Sequence, residues 1–397
     1  VGKPMLAKPI NLIVTTPPVG GPALPRSLGL LAQSGAAHRP LCEIVTVLIR
    51  ECYSHHGGDG EEAARMLLEF NADQRLWQHT VRDVVAKQCP PTLVRSVAED
   101  GVDTSPLWKS YVDLGWTELN DPAGAVELAI VLEELGRATD PTPFLATMSQ
   151  FAPLATDRFD PNQSGTAVYS GVAAHRAAEG WVLEGTARYV LDGDRADRLA
   201  VVTPAGVFVV DGQELPKRRL PVFDPVLHIA DVSFPGIRVP HDARVHVDAE
   251  RAHHVALTGM ALTMVGACQR ILDLVLDHVR TRHQFGVPIG SFQAVQHKAV
   301  DMHVAIERAR ALAYFAALTI AADDPRRRLA AAMAKASAGE CQALVFRHGL
   351  QLFGAMGFTW ENDLQFALKR AKVGELMLGG AAEHRARIAE EYRAADF

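Results

Sequence analysis

RHQFGVPIGSFQAVQH, residues Arg282 to His297, is the stretch on which the fold turns. It is the short connection between two long amphipathic runs. Before it, Leu262, Val265, Cys268, Leu272, Val275 and Val279 recur every three or four residues, the spacing of one buried helical face. After it, Val295, Ala299, Met302, Ile306, Ala309, Ala313 and Ala316 repeat the same spacing. Two further helical runs follow, roughly Leu329 to Leu352 and Leu364 to Tyr392. Four long amphipathic helices with short connections predict a bundle over 247–397.

Toward the N-terminus the period changes. Across 151–246, short apolar or alternating runs stand at Thr166 to Tyr169, Trp181 to Leu183, Leu199 to Val202, Val207 to Val210 and Val232 to Phe234. Turns such as Asp192-Gly193-Asp194 and Asp211-Gly212 separate them, which predicts a central antiparallel β-domain. Residues 66–150 read as helical, in runs from Phe70 to Val85, Leu107 to Leu119 and Glu127 to Ala138, the last stopped by Pro141 and Pro143. Residues 1–65 are punctuated by Pro4, Pro9, Pro17, Pro18, Pro22, Pro25 and Pro40 and hold little apolar area to offset ordering, so a low-order N-terminal extension is expected there. The fold class is α+β.

Composition removes several function classes. The net charge is −6 with both signs interspersed, and no Lys/Arg block is long enough to track phosphates, so nucleic acid is a poor partner. Arg326-Arg327-Arg328 sits beside Asp323 and Asp324 and reads as a solvated loop between helices. Cys42, Cys52, Cys89, Cys268 and Cys341 are scattered without a CxxC pair, which argues against a zinc site or disulfide framework and for a reducing cytoplasm. No apolar run reaches the roughly 18 residues of a membrane span. His253, His254, His283, His297 and His303 lack metal-ligand spacing, and no GxGxxG fingerprint is present.

The quoted stretch, with Asp301-Met302 behind it, resembles the acyl-CoA dehydrogenase signature RxxFGxxIxxFQxxQH. Ala332-Met-Ala-Lys335 and the run from Gln351 to Thr359 fit that family in order and spacing, and Trp181 to Gly185 and Val232 to Pro240 resemble parts of its β-domain. The likeness covers about residues 67–397. It implies a helical domain, a β-domain and a four-helix bundle, with FAD as cofactor and an acyl-CoA thioester as substrate. It also implies an electron-transfer acceptor and a place in lipid metabolism, on a fatty, branched or polycyclic side-chain acyl group. By the resemblance, Arg282 meets the pyrophosphate of a neighbouring subunit's flavin, Gln284 and Phe285 flank that contact, and Gln351 and Gly354 line the adenine-ribose end. Singly, each has a plainer reading: Arg282 as a helix-end ion pair, Phe285 as core.

The family chemistry needs a carboxylate that removes the α-proton while the β-hydrogen leaves as hydride. The usual position of that base falls on Leu378, followed by Gly379-Gly380. The alternative position, on the first bundle helix, falls near Ala256, with no carboxylate within one turn. Glu375 is the best surviving candidate, and its plainer reading is an exposed helix-surface charge. A ring-holding segment like TEPGAGSD has no match in Ala155 to Gly165. The expectation is a base-lacking subunit that completes the FAD site of a second, related chain in an α2β2 assembly. A self-sufficient homotetramer with a non-standard base, and a flavin-free binding or structural protein of the same fold, remain open alternatives.

Overall fold

A computed structural model describes residues 70–395, so the expected extension over 1–65 lies outside the described residues. Four helices form the first region: α1 (Ala72–Gln88), α2 (Pro91–Asp100), α3 (Ser105–Asp113) and α4 (Ala125–Ala138). Asn71 and Gln74 cap α1 reciprocally, and α2 starts on Pro91 and ends on left-handed Gly101, the arrangement each residue favours. The helix expected over 107–119 is shorter. Gly115, at φ 73°, breaks it into α3 and a 3-10 turn, Trp116–Glu118. The sequence pattern missed α2, and it missed a π-helix, Ala146–Phe151, that runs into α5 (Ala152–Ala155).

The central region holds two four-stranded sheets. One has the order β1 (Gly165–Val168), β4 (Arg198–Thr203), β5 (Gly206–Asp211), β8 (Arg244–Val245). The other has the order β2 (Val172–Ala177), β3 (Gly180–Leu191), β7 (Ile229–Val239), β6 (Lys217–Arg219). All pairs are antiparallel except β1 with β4, which run parallel because the chain passes through β2 and β3 of the other sheet between them. Leu183, Leu199, Val201, Phe208, Val232 and Phe234 fill the space between the sheets.

The last region contains α6 (Ala249–Thr281), α7 (Gln293–Ala321), α8 (Arg327–Phe353), α9 (Leu364–Leu376) and α10 (Ala381–Ala395). The single helix expected over 364–392 is therefore two, broken where Leu378 takes φ 56° and Gly379 φ 88°. The expectation on membrane spans needs correcting as well: by length and composition α6 is apolar enough to cross one. That apolar window is 83% buried inside the protein, which is how the core helix of a bundle spends its hydrophobicity. Helices α4 and α6 cross backbone to backbone. A Cβ on Gly266 would collide with the Glu133 carbonyl, and one on Gly136 with the Thr263 carbonyl. The same α4 buries Glu133 and Glu134, which take hydrogen bonds from Arg310 (2.8 Å), Tyr314 (2.9 Å) and Arg82 (2.6 Å), so charge pairing fastens α4 to α7 and α1.

Candidate functional site

Two places collect the residues singled out from sequence. The first is the end of the bundle where α6 and α8 both finish. His278 on α6 stacks on Phe353 of α8, centroids 4.4 Å apart and planes 13° from parallel, which holds the two chain ends together. Burial, and then the Arg282 charge, lower the His278 pKa, which favours the neutral imidazole in that stack. Beyond Thr281, β9 (His283–Gln284) and β10 (Val287–Pro288) pair across the two-residue turn Phe285-Gly286. Both turn residues have positive φ, 55° and 82°, the twist that a two-residue hairpin requires.

Arg282, Gln284, Phe285, Gln351 and Gly354 are all exposed here. The plainer readings of Arg282 and Phe285 fail: Arg282 has no ion pair among the described residues, and Phe285 is 93% exposed, touching Phe292 edge-on at 6.1 Å. Gly354 takes φ 61°, and nothing lies within 4 Å of where a Cβ would be. All five stand exposed at the end of the bundle where α6 and α8 finish, and among the described residues they present an unpaired guanidinium, an aromatic ring and a backbone without side-chain cover.

The second place is a cavity of about 590 Å³ between the β-domain and α9. Its walls come from Gln150 of the π-helix, Ala167 to Ser170 at the end of β1, Ala187 to Leu191 of β3, and Val373 with Leu376 to Leu378. Leu378 thus does reach a cavity, as its alignment with the family base implies. Among the described residues, no Asp or Glu lines it. Ala256 is fully buried. The segment reaching the cavity from the start of the β-domain is Ala167 to Ser170, just downstream of Ala155 to Gly165.

Glu375 does not line this cavity, and it is half-buried rather than exposed on the helix surface. It turns away from the cavity: its Oε1 accepts from the Ala381 backbone N–H at 3.0 Å, capping α10, and its Oε2 lies against Gly339. Behind the 377–380 turn, fully buried Lys335 donates to the Gly379 carbonyl at 2.7 Å, and buried His384 meets the Leu378 carbonyl at 2.9 Å. Burial lowers the Lys335 pKa to about 8 against the pull of the Glu375 carboxylate. Sequence reasoning named Lys335 and Tyr169 only as parts of a motif and a strand and singled out neither His384 nor Gln150; the Lys335 contact joins elements 44 residues apart, which no local pattern announces. The histidines noted from sequence form no metal-binding group among the described residues.

Residues 249–392 match the family model described as acyl-CoA dehydrogenase, C-terminal domain. The acyl-CoA dehydrogenase IpdE2 of Mycolicibacterium smegmatis is 30% identical over 332 residues, covering 81% of this chain and 99% of that protein. Among solved structures, the ChsE4-ChsE5 complex from Mycobacterium tuberculosis aligns with a TM-score of 0.74 at 22% identity, covering 83% of this chain and 99% of that one. A single-substitution variant of the Tcur3481-Tcur3483 steroid ACAD aligns at 0.73 and 24%, covering 82% and 98%. Below 25% identity these structures speak for the fold.

Proposed function

Because the chain belongs to the acyl-CoA dehydrogenase family, whose members are FAD-dependent oxidoreductases, we propose that it is the base-lacking subunit of a two-chain acyl-CoA dehydrogenase. In that assembly it completes a flavin site on its partner. The observation that carries the reading is a pairing of loss and retention: an aliphatic Leu378 in a cavity without a carboxylate, beside an intact open face at Arg282.

The open face fits one side of a dinucleotide. The guanidinium of Arg282 suits a pyrophosphate, and the bare backbone at Gly354 permits close approach. Nothing among these five residues closes over a ligand, so the opposing wall belongs to another chain. Gln284, Phe285 and Gln351 would orient the dinucleotide along the face. The chemistry that bound FAD supplies is acceptance of the hydride leaving the β-carbon. Proton removal from the α-carbon then falls to a carboxylate on the partner, since leucine accepts no proton. Support for a two-chain arrangement comes from the ChsE4-ChsE5 complex sharing this fold. The substrate is a CoA thioester with a fatty, branched or polycyclic acyl group.

Three measurements test the reading. Expressed alone and with its partner, the chain should give fewer flavins than chains in the complex, and a yellow, active enzyme from this chain alone would overturn it. Arg282→Ala in the complex should weaken flavin retention about tenfold or more, the scale of a lost charge-assisted contact, and unchanged retention would remove that assignment. Glu375→Gln keeps the α10 cap and should leave turnover within about twofold, whereas loss of a true general base costs about 10²–10⁴-fold.

A further inference from the structure

A separate cavity of about 220 Å³ lies among α1, α2, α4, α6 and α9, and it shares no lining residue with the cavity at Leu378. Its floor is apolar: Val85, Cys89, Val94, Phe366 and Ala367 line it and are buried. Burial, and then the Asp140 charge, push the Cys89 thiol well up, so it stays uncharged and belongs to that floor. The space is smaller than the roughly 300–1,000 Å³ of a drug-sized site and suits a short chain.

Five charged side chains complete the lining, Arg82, Glu134, Arg137, Arg270 and Asp363. Four of them have partners of opposite charge. Arg82 donates to Glu134 at 2.6 Å, Arg137 donates to Asp273 at 2.7 Å, and Asp363 accepts from Arg95. Arg270 is half-buried, yet it has no ion pair and no side-chain hydrogen bond among the described residues. Asp273, one turn further along α6, is already spent: Oδ2 accepts from Arg137, and Oδ1 accepts from Gln269 at 2.9 Å. Charges withdrawn from water are ordinarily paired, so a guanidinium passed over by every neighbouring carboxylate is available to a ligand. The first turn of α2 reaches the same cavity through Pro91 and Val94. It carries neither an acidic residue nor a side-chain cap, so the positive end of its dipole is uncompensated there. The opposite pole, the end of α4, is quieter: its Leu135 and Gly136 carbonyls accept from the Asp140 and Thr139 N–H groups.

One surplus positive charge beside an apolar floor selects a monoanion with a short apolar tail. A dianion such as phosphate would meet one unpaired cation with Glu134 and Asp363 close by. We propose that this cavity binds a small amphipathic carboxylate, with its carboxylate paired to Arg270 and its alkyl tail laid on the Val85, Val94 and Phe366 floor. A planar guanidinium offers such a group two parallel hydrogen bonds. The proposal goes beyond flavin completion and does not rest on it.

The test is calorimetric titration of the full chain with hexanoate, hexan-1-ol and acetate, the last two lacking the charge and the tail. Hexanoate should bind about tenfold tighter or more than the alcohol, which forgoes the charge-assisted contact. It should exceed acetate by a similar factor, which forgoes the buried methylenes. Arg270→Gln should weaken hexanoate about tenfold and leave hexan-1-ol within about twofold. Ala86 is an exposed helix residue on the rim, so Ala86→Leu narrows the cavity without entering the core, and it should weaken both six-carbon probes by about fivefold or more. Equal affinity for hexanoate and hexan-1-ol, or binding of neither, would overturn the proposal without any variant. Hexanoate binding that survives both substitutions lies elsewhere on the chain and would overturn it too. None of these outcomes alters the flavin count of the complex, so the two readings fail separately.

Discussion

Phe285 is held where a bulky residue seldom sits. Its φ of 55° puts Cβ close to the following carbonyl, a cost of about 1–2 kcal/mol for a non-glycine residue. Burial gives nothing back, because the ring is 93% exposed. An exposed aromatic on a strained hairpin turn points to use in contact with something outside this chain. Asparagine tolerates the left-handed region and is favoured in two-residue hairpins. Phe285→Asn is therefore expected to stabilise the chain by about 1 kcal/mol, read as a higher denaturation midpoint, while weakening flavin retention by the complex. A variant that gains stability and keeps its flavin would leave the ring without a role. Phe285 was legible in the sequence as part of a spaced motif. Its backbone strain was not, because the motif says which residue stands there and nothing about φ.

At the scale of elements, the break between α9 and α10 matters most. Periodicity runs on from Leu364 to Tyr392 and predicts one helix, since Leu378 is apolar and in phase. The chain turns instead where two side chains take the freed carbonyls: Lys335 of α8 bonds Gly379, and His384, in the first turn of α10, bonds Leu378. Contacts between elements have no signature in a local pattern, whereas the four amphipathic stripes and most strands do. Lys335 makes the turn sensitive to pH. Its folded pKa is about 8 against an ordinary 10.5. Between those values the unfolded chain holds a proton that the native state has released, so this residue adds native stability as pH rises through that window. The gain is about 3 kcal/mol in total, from about 1.4 kcal/mol per pKa unit. Relative to Lys335→Met, the unaltered chain should gain stability between pH 8 and 10 in denaturant titrations. Parallel pH profiles would show that the ammonium is not titrating there. The opposite limb belongs to half-buried His253, whose pKa is lowered to about 4 by desolvation first and the Arg387 charge next. As pH falls from 6.5 toward 4, the unfolded chain takes up a proton that the native state refuses, so stability falls. His253→Phe should flatten that acid limb, measured as the denaturation midpoint on acidification from neutral pH.

At the scale of the whole molecule, one guanidinium joins all three regions. Arg370 of α9 is 5% exposed; its Nε donates to Asp224 of the β-domain at 3.1 Å, and Nη1 donates to the carbonyl of Asp140, just past α4, at 2.8 Å. Asp224 is fully buried and uses its other oxygen on the Val226 N–H at 3.1 Å. The partners lie 146 and 230 residues from Arg370, so no window of sequence could have announced them. What the sequence did announce, the order of three regions, rests on periods of three to four and of two that each region shows by itself. Removing one member of a buried ion pair strands the other, at about 3–5 kcal/mol, while replacing both by apolar residues of similar volume is often neutral. Arg370→Leu should therefore lower unfolding free energy by about that amount. It should also split the denaturation curve, because the tie between β-domain and bundle is lost while each keeps its own core. Adding Asp224→Leu should recover most of the loss, since neither member of the Arg370–Asp224 pair is then left buried alone. If the double variant is as unstable as the single one, the ion pair is not what couples these regions, and the coupling must lie in the apolar contacts of Leu227 and Ile229 with Val373.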